Sequence, residues 1–105
     1  MTVVCLSTGS FEEAFTVAVD AFVDVDDFGL IGIEVLDASN QAPNVDWKRT
    51  AVASSIHVAY DTAVDAVYVR LESRSGRQVV PTRLTVSVDS TGIARHIVLP
   101  RVQRS

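Results

Sequence analysis

Apolar and polar residues alternate along three stretches of the chain. In the clearest one, Val67, Val69 and Leu71 fall on one face of an extended segment, and more polar residues fall on the other. The same two-residue period runs through residues 23–26 and 84–89. Because one face is apolar and the other is wetter, these stretches predict half-buried strands of an antiparallel sheet.

Two of the predicted strands end in a turn signature. The segments Asp26–Gly29 and Asp89–Gly92, with sequences DDFG and DSTG, each end in the glycine that favours a four-residue reversal. Each segment therefore predicts a hairpin.

The two predicted hairpins resemble each other at a constant offset of 63 residues. Identical residues occupy six of fifteen positions when residues 22–36 are set beside residues 85–99: Val23/Val86, Val25/Val88, Asp26/Asp89, Gly29/Gly92, Val35/Val98 and Leu36/Leu99. We interpret this as an internal duplication, with copies at about residues 2–39 and 56–100. The strand predicted at residues 56–60 has no counterpart in the first copy, which is therefore one strand short.

Helical signals are short and lie outside the strands. Residues 40–55 form a polar linker that favours a short helix over about residues 45–53, with Asn44 as its N-cap. Trp47 is expected to cover the edge of the core, with an exposed anchor for a partner as the alternative. Residues 10–15 also favour a helical turn, because their serine and glutamate have capping-box spacing.

Composition agrees with one strand-rich domain over residues 1–105. Valine, isoleucine and threonine, which are branched at the β-carbon and suit pleated sheets, account for 32 of the 105 residues. A chain of this length buries roughly two thirds of its unfolded surface, enough for one core. We predict a mainly β fold, with α+β as the alternative, in which two imperfect copies of an antiparallel meander share one core.

Several protein classes are disfavoured by composition. The longest apolar run, residues 30–36, is much shorter than the ~20 residues that a membrane-spanning helix needs. The first thirteen residues contain no basic residue, which argues against a secretory signal and favours a cytoplasmic location. Cys5 is the single cysteine, so no intrachain disulfide is expected, and we predict it to be a small buried apolar residue.

Charge is distributed unevenly along the chain. Residues 1–46 contain nine acidic residues and no basic one, whereas residues 47–105 contain nine basic and four acidic residues. We interpret this as docking of two complementary halves, within the chain or across a dimer, or as an acidic surface that meets a basic protein partner. The overall formal charge of -4 argues against nucleic-acid binding.

Two longer motifs suggest a family. YDTAVDAVYVRL (Tyr60–Leu71) resembles the opening, and DDFGLIGIEVLDAS (Asp26–Ser39) the close, of the small bacterial domain-of-unknown-function family 2283. The resemblance implies a small antiparallel sheet whose motif residues are Tyr60, Asp61, Asp65, Tyr68, Gly29, Gly32 and Glu34, and Gly92 is the turn glycine that matches Gly29 in the second copy. The second copy departs from the closing motif, with residues 95–97 in place of residues 32–34. For function, the resemblance implies an antitoxin-like partner role, by analogy alone.

The polar residues best suited to chemistry are His57, Asp61, Asp65 and His96, which could bind a small ligand or a metal ion or support hydrolysis. The two aspartates also suit hydrogen bonding to backbone N–H groups in a tight turn. Glu34 is expected to pair with an arginine, Arg70 or Arg95. No phosphate-binding glycine loop, metal-ligand spacing or nucleophile motif is present, so we predict no catalytic residue, no resident metal and no cofactor.

The sequence thus favours a non-catalytic protein-interaction or assembly module, with a small-ligand, metal-binding or hydrolytic domain as the alternative. A missing first strand leaves one edge of the sheet open, and open edges are normally paired or blocked. We therefore predict a homodimer or another contact that adds a strand at that edge.

Overall fold

Over residues 1–76 and 78–100, which the computed structural model describes, seven strands form one antiparallel sheet with two short helices. The elements are β1 (Thr2–Cys5), β2 (Glu13–Asp26), β3 (Gly29–Val35), α1 (Ala38–Gln41), α2 (Trp47–Ala53), β4 (His57–Asp61), β5 (Ala66–Arg70), β6 (Gln78–Asp89) and β7 (Ala94–Leu99). The prediction of a mainly β fold with short helices is confirmed.

The order of the strands in the sheet is β1-β7-β6-β2-β3-β5-β4. The first six strands in this order are arranged symmetrically. If β1 is exchanged with β5, β2 with β6 and β3 with β7, the same order is obtained in reverse. The backbone follows the same rule just beyond β1 and β5, where Leu6 donates its N–H to Arg95 O and Leu71 donates its N–H to Ile31 O, both at 2.9 Å. β4 has no counterpart under this exchange. A common origin of the two halves stays a prediction, because strand order describes geometry and not ancestry.

The strands of the two halves are interleaved within one sheet, so the meander predicted within each copy does not form, although the two copies share one core as predicted. β1 pairs with β7 and not with β2, and β5 pairs with β3 and β4 and not with β6. The connections that precede β2 and β6 are too long for tight hairpins, which use two to five residues. They let the chain pass over the neighbouring strands, so that β2 and β6 pair with each other and not with the strands that precede them.

The centre of the sheet is the long pairing of β2 with β6, in which Val19 lies opposite Leu84. Side chains of both strands enter one hydrophobic core on the inner face of the sheet. On the outer face, Asp20 of the acidic half pairs with Arg83 of the basic half at 2.9 Å. The two halves thus dock within one chain, which is one of the arrangements that the charge pattern predicts.

Both predicted hairpin turns are confirmed, between β2 and β3 and between β6 and β7. Gly29 and Gly92 have φ angles of 134° and 88°, a left-handed region that favours glycine. The second turn is longer, because Asp26 lies opposite Gly29 whereas the last pair of the second hairpin is Val88 with Ala94. Each hairpin contains a register shift near its turn.

The helix predicted over residues 45–53 is present as α2, but it begins at Trp47 and its N-cap is Asp46, not Asn44. The Asp46 side chain accepts the N–H of Arg49 at 3.0 Å, which satisfies one of the free donors of the first turn. Trp47 is 3% exposed and donates its indole N–H to Ala38 O at 3.2 Å. Its predicted place at the core is confirmed.

Two local predictions are wrong. Residues 10–15 form no helical turn, because β2 begins at Glu13 and pairs along β6, a tertiary contact that overrides the local capping signal. Phe11 instead meets the His96 ring edge-on, with 4.7 Å between ring centroids. Cys5 is exposed and not buried, because it lies on the outer face of the edge strand β1. No helix among the described residues is long and apolar enough to cross a membrane.

Candidate functional site

The four residues predicted to bind a ligand do not converge. His57 begins β4 at one edge of the sheet, whereas His96 lies on β7, five positions away in the strand order. In the described part of the chain, no three histidine, cysteine, aspartate or glutamate side chains are grouped to hold a metal ion. A shared site for His57, Asp61, Asp65 and His96 is therefore not assembled in this structure.

Asp61 and Asp65 hold the hairpin between β4 and β5. Asp61 Oδ1 accepts the N–H of Ala63 at 3.0 Å, and Asp65 has a φ of 53°. Asp65 accepts the Tyr60 hydroxyl at 2.6 Å and the Ser39 hydroxyl at 2.7 Å, which also fastens the start of α1. The predicted role of these aspartates as acceptors of backbone N–H groups in the turn is confirmed for Asp61, whereas Asp65 accepts from Ser39 of α1 and from the Tyr60 hydroxyl.

The same contacts shift the ionisation of Asp65 and Tyr60. The hydrogen bond from Tyr60, followed by that from Ser39, lowers the pKa of Asp65. The acceptor Asp65 in turn raises the pKa of Tyr60 above its usual value of 10.0. The pair thus favours a carboxylate with a neutral phenol, which is a stable structural contact and not one poised for proton transfer at neutral pH.

A different cluster of side chains lies on the outer face of the sheet. Two adjacent rows cross the strands there, as the pairing register defines. The first row is Val79, Asp24, Gly32, Arg70 and His57, and the second is Pro81, Phe22, Glu34, Tyr68 and Ala59. Between them is a cavity of about 340 Å³, which we call the outer-face groove, lined by Phe22, Asp24, Gly32, Glu34, His57, Tyr68, Arg70 and Val79.

Gly32 forms the floor of the outer-face groove. A β-carbon at this position would lie 2.8 Å from the carbonyl oxygen of Val69, a distance that real β-carbons essentially never show. The close approach of β3 to β5 therefore requires glycine. Because Gly32 has no side chain, a depression remains between Asp24 and Arg70, its neighbours in the row.

The carboxylates of the groove are not neutralised by the arginine beside them. Arg70 donates from Nη2 to the carbonyl oxygens of Ser73 at 3.1 Å and Arg74 at 3.3 Å. Among residues 1–76 and 78–100, neither the Asp24 nor the Glu34 carboxylate has a hydrogen bond or ion pair.

The expected pairing of Glu34 with Arg70 or Arg95 is wrong. Arg70 is held by backbone carbonyls, and Arg95 is oriented towards Asp89, with 3.5 Å between Nη1 and Oδ2.

The walls of the groove are apolar and exposed. Phe22 and Tyr68 lie on either side of Glu34 in the second row and are 40% and 37% exposed, and Val79 at one end is 62% exposed. A second cavity of about 390 Å³ lies beside Phe22 and is lined by Leu36, Gln41 and Pro81, among others. The outer face thus combines apolar surface with unpaired negative charge.

Sequence reasoning identified part of this groove. The family resemblance identifies Gly32, Glu34 and Tyr68 as motif residues, and the search for polar side chains identifies His57 as a candidate ligand-binding residue. Phe22, Asp24 and Val79 were missed, because only the pairing of β2 with β3 and β6 brings them beside Gly32. Alternation along a strand predicts which residues share a face, but it does not predict which strands are neighbours.

A second candidate surface is the outer edge of β1. Other open edges in the described chain carry features that hinder strand addition. On β2, the Gln41 side chain bonds both the N–H and the carbonyl of Asp20. On β6, Pro81 lies in the half that does not pair with β7, and β4 begins with His57 and ends with Asp61.

β1 has none of these features. It consists of uncharged residues without proline, and its Val3 is 51% exposed. The segment before β4 reaches this side of the sheet just after β1 ends, where Ser55 donates its N–H to Leu6 O at 2.8 Å. We call Thr2–Cys5 with its unpaired side the β1 edge.

Comparisons with known proteins add no relative to these observations: no family model, no curated protein sequence and no solved structure matches the chain. The resemblance to domain-of-unknown-function family 2283 thus stays a prediction.

Proposed function

We propose that this protein is a non-catalytic interaction module that accepts an additional strand at the β1 edge, and that the strand is β1 of a second copy. The observation that carries the proposal is that no strand of the described residues pairs with the outer side of β1. In the other half of the sheet, the equivalent place beside β5 is filled by β4.

Strand addition would satisfy groups that are otherwise open to water. Every internal strand of the sheet has neighbours on both sides, whereas β1 pairs only with β7 within residues 1–76 and 78–100. A second β1 offers a ladder of backbone hydrogen bonds and covers the exposed side chain of Val3. Antiparallel pairing of β1 with its own copy uses the same surface on both molecules and closes with two-fold symmetry.

The pairing is expected to be weak and dependent on concentration. β1 contains four residues, so the strand contact alone is small compared with the interfaces of stable dimers. A short edge strand of this kind allows reversible assembly and limits uncontrolled aggregation.

Sedimentation equilibrium over a wide concentration range tests the proposal. The wild-type chain should show a reversible monomer–dimer equilibrium, and Val3→Lys should shift it to monomer because it places like charges across the two-fold axis. Val64→Lys is the matched control, since Val64 is 59% exposed in the turn between β4 and β5. A chain that stays monomeric at every concentration, or a dimer that both variants weaken equally, would contradict the proposal.

A further inference from the structure

We propose that the outer-face groove binds the cationic side chain of a lysine or arginine in an extended segment of a basic partner protein. This site is separate from the β1 edge, since the groove is lined by β2 to β6 and not by β1. The binding is therefore independent of strand addition and is tested separately.

The first argument is charge complementarity. Asp24 and Glu34 occupy neighbouring rows on adjacent strands, and both carboxylates line the cavity. The guanidinium of Arg70 is held by the carbonyls of residues 73 and 74, so it is drawn towards the loop that follows β5. An incoming ammonium or guanidinium group would supply the ion pairs that these carboxylates lack within the described chain.

The second argument is the position of the aromatic rings. Phe22 and Tyr68 are the cross-strand neighbours of Glu34 on its two sides. A cation that reaches Glu34 therefore comes between two rings, which attract positive charge and offer apolar surface to the methylene groups of a long basic side chain. A small anion or a nucleic acid phosphate would gain nothing from this arrangement.

The third argument is the second cavity, which continues the surface beyond Phe22. Leu36 is 41% exposed there and lies near Pro81 and Gln41. Its polar neighbour Asp20 is already paired with Arg83, so this cavity suits an apolar side chain. The two cavities together select a segment with a basic residue next to an apolar one.

The test is a titration of ¹⁵N-labelled protein with the peptide acetyl-Ser-Leu-Lys-Leu-Ser-amide, followed through backbone amide shifts. The lysine peptide should shift the amides of residues 22–24, 32–34 and 68–70 in a saturable manner. The same peptide with glutamine in place of lysine should bind about tenfold more weakly, because it lacks the charge.

Variants assign the contacts. Glu34→Gln should weaken binding of the lysine peptide about tenfold and Phe22→Ala severalfold. Glu13→Gln removes the same charge from the same acidic half but lies at the far end of β2, so it should change the affinity less than twofold. Amide spectra of the free variants confirm that each is folded.

Three results would overturn the inference. One is equal weakening by Glu34→Gln and Glu13→Gln, which indicates non-specific attraction to an acidic surface. Another is equal affinity for the lysine and glutamine peptides. The third is a saturable response of the same amides to a neutral oligosaccharide such as maltotriose with none to the lysine peptide, because hydroxyl groups would then be the ligand.

Discussion

Asp26 and Asp89 occupy equivalent places in the two hairpins and make equivalent contacts. Asp26 Oδ1 accepts the N–H groups of Phe28 and Gly29 at 2.9 and 3.1 Å, and Asp89 Oδ1 accepts those of Thr91 and Ile93 at 2.8 and 3.2 Å. Each carboxylate also faces an arginine: Arg74 pairs with Asp26, and Arg95 lies 3.5 Å from Asp89. A carboxylate at the start of each turn thus organises both hairpins.

These contacts make the protein sensitive to acid. The hydrogen bond from Arg74, supported by those from the turn, lowers the pKa of Asp26 from 3.8 to about 2, and the hydrogen bond from Thr91 lowers the pKa of Asp89. Between the folded and the unfolded pKa of each aspartate, the unfolded chain binds more protons than the folded chain does. The stabilisation is therefore complete above about pH 4 and is lost as the pH falls towards 2.

We predict that Asp26→Asn flattens this pH dependence. Urea unfolding between pH 5 and pH 2 should show a steep loss of stability for the wild type and a shallower loss for the variant, which also starts from a lower stability at pH 5. Glu12→Gln, an exposed residue just before β2, is the control and should keep the wild-type slope. An unchanged slope in Asp26→Asn would show that Arg74 and the turn do not stabilise the ionised form.

The contact between Tyr60 and Asp65 is predicted to delay phenolate formation. Tyr60 and Tyr68 are the two tyrosines of the chain, so Tyr68→Phe leaves Tyr60 alone to be titrated by its ultraviolet absorbance. The midpoint of the Tyr60 titration should lie above 10.0, because Asp65 accepts a hydrogen bond from the neutral Tyr60 hydroxyl and its negative charge disfavours the phenolate. The contact stabilises the folded chain while the phenol is neutral, so its contribution to the free energy of unfolding should decline above pH 10 as Tyr60 ionises.

Adding Asp65→Asn should return the Tyr60 midpoint towards 10, whereas adding Asp61→Asn should leave it unchanged. Asp61 is the matched control because it is held by the N–H of Ala63 and not by Tyr60. An equal response to both substitutions would indicate general charge repulsion and not the specific hydrogen bond.

Substitution of Gly32 should destabilise the sheet. Gly32→Ala forces β3 and β5 apart, because its β-carbon would meet the backbone of Val69, and we expect a loss of about 1–3 kcal/mol. Gly76→Ala is the matched control, since its β-carbon would meet the Asp24 side chain at 3.0 Å and that side chain can rotate away. Urea unfolding of both variants should rank Gly32→Ala as the more damaging, and the reverse order would contradict the assigned close approach.

The account of the core predicts a strong dependence on Trp47. Trp47→Ala should cost about 3–5 kcal/mol, because it leaves a large void and removes the donor to Ala38 O. Val52→Ala on the same helix should stay within about 0.5 kcal/mol, since Val52 is 88% exposed. Comparable losses in the two variants would mean that α2 is not anchored through Trp47.

Local signals predicted the elements better than their arrangement. The aspartate and glycine of each turn specify a hairpin through contacts within five residues, so both hairpins were predictable from sequence. The pairing of β1 with β7 joins residues more than ninety positions apart, and no short pattern encodes it. Cys5 was misplaced for the same reason, because its exposure depends on β1 being an edge strand.

The same limit applied to the candidate site. His57 and Asp61 are near each other in sequence, yet one lines the outer-face groove and the other closes a turn. Asp24 and Gly32 become neighbours through the pairing of β2 with β3, which brings a carboxylate to the side of a depression. The composition indicates excess acid in the first half, but only the folded structure shows that the Asp24 and Glu34 carboxylates lack a partner among the described residues.

The most direct test of the central claim is an isotope-filtered nuclear Overhauser experiment on a mixture of labelled and unlabelled protein at high concentration. Strand addition at the β1 edge predicts contacts between molecules that involve residues 2–5 of both copies, centred near Val3 and absent in Val3→Lys. Intermolecular contacts confined to other surfaces, such as α2 or the outer-face groove, would contradict it.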